Sequence, residues 1–533
     1  MTKRIFASMA AALLAATALA SCGSSDSSSS TGSTSSNSST AASDESSSES
    51  AEVDGDAAAE AIANRTETAH LVLNWFTWSG SPAGVSRIQD AMNELTVPAL
   101  NIEVEMQVTD YASRSQSLTL QLSGGEQLDI LYSSGLGLTK AAQNDYVLDL
   151  EEDNLIQTYG QDIIDTMGWD NINTSRVNGV LYGTPTQHDL AQGRYAIAAR
   201  TDILKEAEAF MDLTPDYDSD VWYVDGGLDD ICTIIKALHD AEPNMNAYMS
   251  GIGTYWTSVD NLGGNVYGVL ENWGKDTTEV VNYFETDTYK DMVNRMYDLN
   301  QYGCISPDAM TDTTANTAQV QAGTLISYVS NVKPGSRIQE TTNCGTEMTM
   351  IQAGPDYTNS TQIGGFCWMI GYNTADPVAA MQYLNFMYES AEWNNLFMWG
   401  VDGVDNVESD DGTVTFTESS DYTHSMQWLA PAEFKAHVQT GNPANLWEMY
   451  DDFNKNATIS DASGFTFDTA NVATQYTAVD NVYSQYQKAI EYGFSDPETS
   501  IDEMNNAMMT AGLQDIIDEK QAQLDAWLDL KNN

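Results

Sequence analysis

Hydrophobic and polar positions along this chain follow two periods that take turns. Residues 71–76, Leu-Val-Leu-Asn-Trp-Phe, form a near-continuous apolar run, the pattern of a strand covered on both faces. A Ser-Gly-Ser-Pro turn follows at 79–82. Val85, Ile88, Met92 and Leu95 then recur at spacings of three and four, which predicts a helix. Ile102, Val104, Met106 and Val108 alternate with polar residues and predict a second strand. Residues 111–122 are helix-like and stop at Gly124-Gly125, and 128–132 read as a third short strand. Strand, helix, strand, helix, strand is the order of a doubly wound α/β domain. Ligands of such sheets gather beyond the C-terminal ends of the strands, which selects Trp78, Tyr111 and Tyr132 as cleft candidates.

Further along, the periods mix. Residues 194–200, 324–329 and 365–371 predict strands, and 229–241 and 289–302 predict amphipathic helices. The C-terminal third turns mostly helical, with helices expected over 377–388, 472–492 and 513–530. A hairpin is expected over 408–416, turning at Asp411-Gly412.

The N-terminus sets the compartment. Lys3 and Arg4 precede an apolar stretch, 5–20, that ends in Leu19-Ala20-Ser21-Cys22. The stretch is short for a membrane span and has the three-part form of a secretory signal. Its end resembles a bacterial lipobox, which implies cleavage before Cys22 and a lipid on the Cys22 sulfur. Residues 22–68 hold no aromatic residue and are rich in Ser, Asp, Glu and Ala, so they read as a disordered tether.

Composition narrows the partners. Of 533 residues, 21 are Lys or Arg and 77 are Asp or Glu, a formal net charge of −56. Phosphate recognition needs clustered cations, so a nucleic-acid partner is not expected. The remaining cysteines, Cys232, Cys304, Cys344 and Cys367, have no zinc spacing. Cys304 and Cys344 sit in turn-like contexts and are a possible disulfide pair, while Cys232 lies on an apolar helical face. No metal or cofactor is expected.

Four segments carry a family resemblance. They are the opening strand into its Gly turn (73–80), Leu-Ser-Gly-Gly-Glu-Gln-Leu-Asp-Ile (122–130), Asn-Gly-Val-Leu-Tyr-Gly-Thr-Pro (178–185) with 195–204, and Asn-Thr-Ala-Asp-Pro-Val-Ala-Ala-Met (373–381). In this order they resemble the extracellular solute-binding protein family 1 of bacterial ABC importers, the cluster that includes maltodextrin-binding proteins. Residues 463–468 and 511–527 resemble the C-terminal domain of a lipoprotein subgroup of that family, and 396–403 resembles another of its segments. The resemblance implies a two-lobed periplasmic-binding-protein-like fold of type II, with an interlobe hinge and a helical C-terminal part. It also implies an N-terminal lobe over 69–190 plus 346–368 and a C-terminal lobe over 191–345 plus 369–533. The chain is then expected on the extracellular face of the cytoplasmic membrane, lipid-anchored, in a Gram-positive cell. It is expected to act as a monomer beside transmembrane permease subunits.

Sugars offer apolar C–H faces ringed by hydroxyls, which suits flat aromatic rings flanked by short polar groups. Loop and strand-end aromatics add Trp222, Tyr255, Trp256, Trp273, Tyr328, Trp368 and Trp447 to the candidates, with Asp129 and His188 as polar partners. Matching regions of maltodextrin-type relatives supply stacking aromatics near Trp256 and Tyr328. For each Trp or Tyr, core packing is the competing role. The expected function is capture of an oligosaccharide for import, without catalysis. A peptide ligand is the alternative within the receptor class, and a surface-anchored glycoside hydrolase or an adhesin lies outside it. The chain has no His-Glu-x-x-His, Gly-x-Ser-x-Gly or P-loop motif.

Overall fold

The computed structural model describes residues 55–531, apart from 79–80, 250–255, 423 and 425. The lipobox, Cys22 and Tyr255 therefore lie outside the described residues. The body, Val53–Asn533, is one compact unit with two lobes, each built around its own five-stranded sheet and hydrophobic core.

In the first lobe the sheet order is Ile102–Asp110, Ala69–Thr77, Ile130–Tyr132, Cys367–Ile370, Thr184–Pro185. The first three strands pair in parallel, with Leu73 opposite Met106 and Ile130, and Cys367–Ile370 runs antiparallel to its neighbours. Helices Val85–Leu100 and Tyr111–Ser123 supply the crossovers, as the pattern predicts. Their inward faces carry Val85, Ile88 and Met92, and Leu118 and Leu122. Asp110 caps the second helix by accepting a 3.0 Å bond from Ala112 N.

The second sheet has the order Asn246–Tyr248, Leu325–Val329, Ala196–Arg200, Met348–Gln352, Val221–Tyr223. The C-terminal helices Ala473–Glu491, Pro497–Ala511 and Leu513–Lys531 close over its core through Val479, Ile501, Met504 and Ile516. The middle helix of these was not predicted. Among the described residues no helix is long and apolar enough to cross a membrane.

Three chain segments cross between the lobes: Gln192–Gly193, Asp356–Thr358 and Thr458–Ile459. They are hydrogen-bonded side by side as a small sheet, with Asp356–Thr358 in the middle. Gly193 is fixed there by close approach. A Cβ on it would stand 2.1 Å from the Gln352 amide oxygen and 2.9 Å from the Val332 carbonyl.

Two boundary expectations change. The strand Met348–Gln352, assigned above to the N-terminal lobe, pairs with Ala196–Arg200 in the second sheet. Residues 369–457 return to the first lobe, where helices Pro377–Glu389 and Ala391–Trp399 pack on its core. Two short apolar runs in succession, 348–352 and 367–370, look alike by periodicity, and only pairing distinguishes the sheets they join. The tether expectation changes at its end as well. Gly55–Asn64 is a helix, and Ile62 packs against the first core. Arg65 then bonds Leu100 O and Gln382 Oε1, each at 2.7 Å. Its alanine-rich sequence favours helix, a preference that composition alone hides.

The expected disulfide is absent. Cys232, Cys304, Cys344 and Cys367 are all free and buried. Cys304 packs beneath helix Leu228–Ala241 with its thiol toward Ile235 O, while the Cys344 thiol lies 3.3 Å from the Tyr328 hydroxyl.

Candidate functional site

A cavity of about 420 Å³ opens between the lobes beside the crossing strands. Its first-lobe wall is aromatic. Phe76, near the end of the opening strand, meets Trp78 at 5.6 Å, Tyr111 at 5.0 Å and Trp428 at 6.0 Å between ring centroids. Trp78 and Tyr111 also touch, at 4.5 Å, and are 55% and 38% exposed. Solvent-facing rings of this size beside a cavity are unspent apolar surface, the kind that a flat partner covers.

A buried cation sets this wall. Arg114 donates to Asn74 Oδ1, to Trp75 O at 3.0 Å, to Tyr132 O at 2.8 Å and to Ser134 O at 2.7 Å. It thus ties the C-terminal ends of the strands Ala69–Thr77 and Ile130–Tyr132, and its guanidinium lies 5.1 Å from the Phe76 ring centre. Burial pulls its pKa down to about 9.

The other walls are polar. Asp189 faces Lys333 across 2.8 Å, and Lys333 Nζ also lies over the Tyr450 ring. Burial pushes the Asp189 carboxyl up, but Lys333 and His188 outweigh it and hold it below the usual carboxylate range. Burial and the Asp189 charge push the nearby Glu433 carboxyl well up, and Lys333 offsets them only in part. Two cavity-lining atoms, His188 Nε2 and Asn331 Oδ1, are buried with no partner among the described residues. A polar group left in this way costs about 1–3 kcal/mol, which a hydroxyl-bearing ligand would recover.

Of the residues singled out from sequence, Trp78, Tyr111 and His188 line this cavity. Tyr132 is fully buried behind it, 5.9 Å from Trp428. The others are corrected to structural roles. Asp129 accepts from Val72 N, Gln127 Nε2 and Thr374 Oγ1, holding the first sheet together. Trp222 and Trp256 are in the second core, the latter stacked on Tyr248 at 5.4 Å. Tyr328 is buried and donates to Glu340 at 2.6 Å. Trp368 is fully buried and donates to Leu429 O at 2.9 Å. Trp273 packs between Tyr195 and Tyr357. Trp447 stacks on Phe434 and donates to Ala436 O at 2.6 Å. Sequence reasoning missed Phe76, Phe366, Trp428, Asp189 and Lys333. Phe76 and Asp189 adjoin predicted elements, and their position at strand ends was the available signal.

A second recess of about 280 Å³ meets the first at Gln192 and Gln362, which line both. It lies against the C-terminal helix Ala473–Glu491 and is lined by Arg194, Asn261, Tyr283 and Glu491, among others. Among the described residues no group of three or more His, Cys, Asp or Glu is arranged to hold a metal ion.

Two α/β lobes, three crossing strands and a cleft between them define a two-lobed binding-protein fold. A model of the bacterial extracellular solute-binding proteins matches residues 86–392, more than half of the chain, and the chain belongs to that family. A domain of unknown function (DUF3502) matches residues 461–529. A Streptococcus pneumoniae protein described as a carbohydrate ABC transporter substrate-binding protein is 22% identical over 481 residues, 86% of this chain and 91% of that protein. Among solved structures, the N-glycan transport solute binding protein (NgtS) of S. pneumoniae superposes with a TM-score of 0.74 at 19% identity, covering 86% of this chain and 99% of that one. An HMO binding ABC-transporter associated solute binding protein of Bifidobacterium longum infantis gives 0.57 at 15% identity, covering 86% and 99%.

Proposed function

We propose that this chain is the substrate-binding protein of an ABC sugar importer, which captures an oligosaccharide in the interlobe cleft and delivers it to permease subunits in the membrane. The observation that carries this reading is the pairing of exposed rings at Trp78 and Tyr111 with unsatisfied polar atoms at His188 and Asn331. Rings cover the C–H face of a pyranose and the polar atoms take its hydroxyls. The carbohydrate-binding roles in the names of the relatives support the choice of sugar over peptide. Closure of the lobes around the ligand would distinguish loaded from empty receptor. We further propose that the mature chain begins at a lipid-bearing Cys22, is held by residues 23–54 at the outer face of the cytoplasmic membrane, and works as a monomer.

Calorimetric titration of residues 53–533 tests this. The panel contains Man1GlcNAc, Man5GlcNAc, kestose, maltohexaose and short peptides, with products checked by mass. Saturable binding of an unaltered sugar is the expected result. Heat from peptides alone would make it a peptide receptor, and cleavage of a sugar would make it a hydrolase.

A further inference from the structure

Beside the apolar face that it packs on the second core, the helix Ala473–Glu491 carries a polar stripe. Tyr476, Asp480, Tyr483, Gln487 and Glu491 recur at spacings of three and four, so they share one side of the helix. On a surface helix that stripe would face water. Here it runs from an exposed Asp480 and a half-buried Tyr476 to a buried Tyr483 and Glu491. Tyr476 OH accepts from Asn265 N at 2.9 Å, and Asp480 accepts from Tyr267 OH at 2.8 Å. Glu491, 5% exposed, accepts from Tyr483 OH at 2.6 Å and from Gln487 Nε2 at 3.1 Å.

The C-terminal part of this stripe, Tyr483, Gln487 and Glu491, lines the second recess. Its walls are rich in amides, with Gln192, Asn261, Asn265, Asn359, Gln362 and Gln487 lining it. Tyr283 also lines it, is 2% exposed, and its hydroxyl has no hydrogen-bond partner among the described residues. Arg194 lines the same walls with its guanidinium over the Tyr357 ring, and Glu491 is held there by Tyr483 and Gln487. Amides both donate and accept, which suits hydroxyl and acetamido groups. The volume, about 280 Å³, falls just below the range of about 300–1,000 Å³ for drug-sized ligands, so it suits one ring and not a chain. The recess meets the aromatic cavity at Gln192 and Gln362, so one ligand can occupy both.

We propose that the C-terminal segment 461–529 is part of the ligand-binding surface, its helix Ala473–Glu491 walling a subsite for one uncharged, hydroxyl- or acetamido-bearing sugar unit of a ligand whose other units lie on Trp78, Tyr111 and Trp428. This rests on the oligosaccharide reading above. It gives the segment of unknown function a role in setting ligand length and terminal-unit chemistry, beyond covering the second core.

The test is calorimetry on purified protein with Man1GlcNAc, Man5GlcNAc, kestose and maltohexaose. The variants are Gln487→Ala, Tyr283→Phe and, as a reference on the aromatic wall, Trp428→Ala. Tyr283→Phe keeps the ring and removes only the unpartnered hydroxyl, so its fold is retained whatever happens to Gln487→Ala. Both recess variants are expected to weaken the longest ligand bound by about tenfold while leaving the shortest unchanged, and Trp428→Ala to weaken all. Wild-type affinity of both recess variants for every ligand, with Trp428→Ala impaired, would overturn the subsite and leave the receptor reading standing. Silence of the wild-type protein across the panel would overturn both.

Discussion

Lys333, from the loop after the strand Leu325–Val329 of the second lobe, places its Nζ 2.8 Å from a carboxylate oxygen of Asp189, on the stretch leading into the first crossing strand. Both side chains are largely removed from water, at 22% and 10% exposure. The lobes thus meet through a pair of charges as well as through backbone. Breaking such a pair strands one charge in a low-dielectric site.

Lys333→Met is therefore expected to destabilise the body by about 3–5 kcal/mol. The double variant Asp189→Asn with Lys333→Met should recover most of that loss, because no charge is left unpaired. Urea unfolding of the wild type and the two variants measures both effects. Equal losses in the single and double variants would show that packing around Tyr450, not the ion pair, dominates.

The tryptophans separate stability from affinity. Trp256 is fully buried in the second core, so Trp256→Ala is expected to cost about 3–5 kcal/mol of stability. Trp78→Ala should leave the melting temperature nearly unchanged and weaken sugar binding by about 2 kcal/mol. Thermal melts paired with titration check the split, and the reverse pattern would move the site away from the aromatic wall.

Glu491 predicts a pH signature. Burial, only partly offset by Tyr483 and Gln487, pushes its carboxyl up from 4.5 to about 7. The folded protein then keeps a proton that the unfolded chain releases. The stabilisation is complete below about pH 4.5 and fades as pH rises through 7. Between pH 5 and 8 the wild type should lose on the order of 2 kcal/mol relative to Glu491→Gln, which cannot titrate. Parallel pH profiles of unfolding would show that the carboxyl is not held protonated.

The cysteines are expected to behave as core residues. Burial pushes the thiols of Cys304 and Cys367 up to about 12 and that of Cys232 to about 11. Residues 53–533 should thus expose four titratable thiols in denaturant and none promptly in the native state. Dithiothreitol should leave the melting temperature unchanged. A fall in that temperature on reduction would restore the disulfide that the turn contexts suggested.

How much of this was legible depends on the range of each interaction. The first sheet was, because 71–76 and 102–108 write their burial directly into local periodicity. So was one cleft wall, since Trp78 and Tyr111 follow from the rule that ligands sit beyond strand C-termini. Trp428 sits in the short turn Gln427–Leu429, which has no period to read. Asp189 and Lys333 are far apart in sequence and become neighbours only when the lobes are joined. The polar stripe 476–491 has the pattern of a solvated face, and periodicity does not show that Tyr483 and Glu491 within it are buried. The candidate tryptophans at 222, 256 and 368 failed because a bulky ring in an apolar run says that it is covered, not by what.

Gln192 belongs at once to a crossing strand, where it pairs with Tyr357, and to the lining of both recesses. In the proposed receptor the axle and the grip would therefore be one residue. Any pivot of one lobe on the other must carry this side chain with it and re-aim it at whatever the cleft holds. Under the proposed closure, cargo and posture would be mechanically geared at this point, with no relay of intervening side chains required. A guest that seats badly against Gln192 is felt first by the strand that would have to bend.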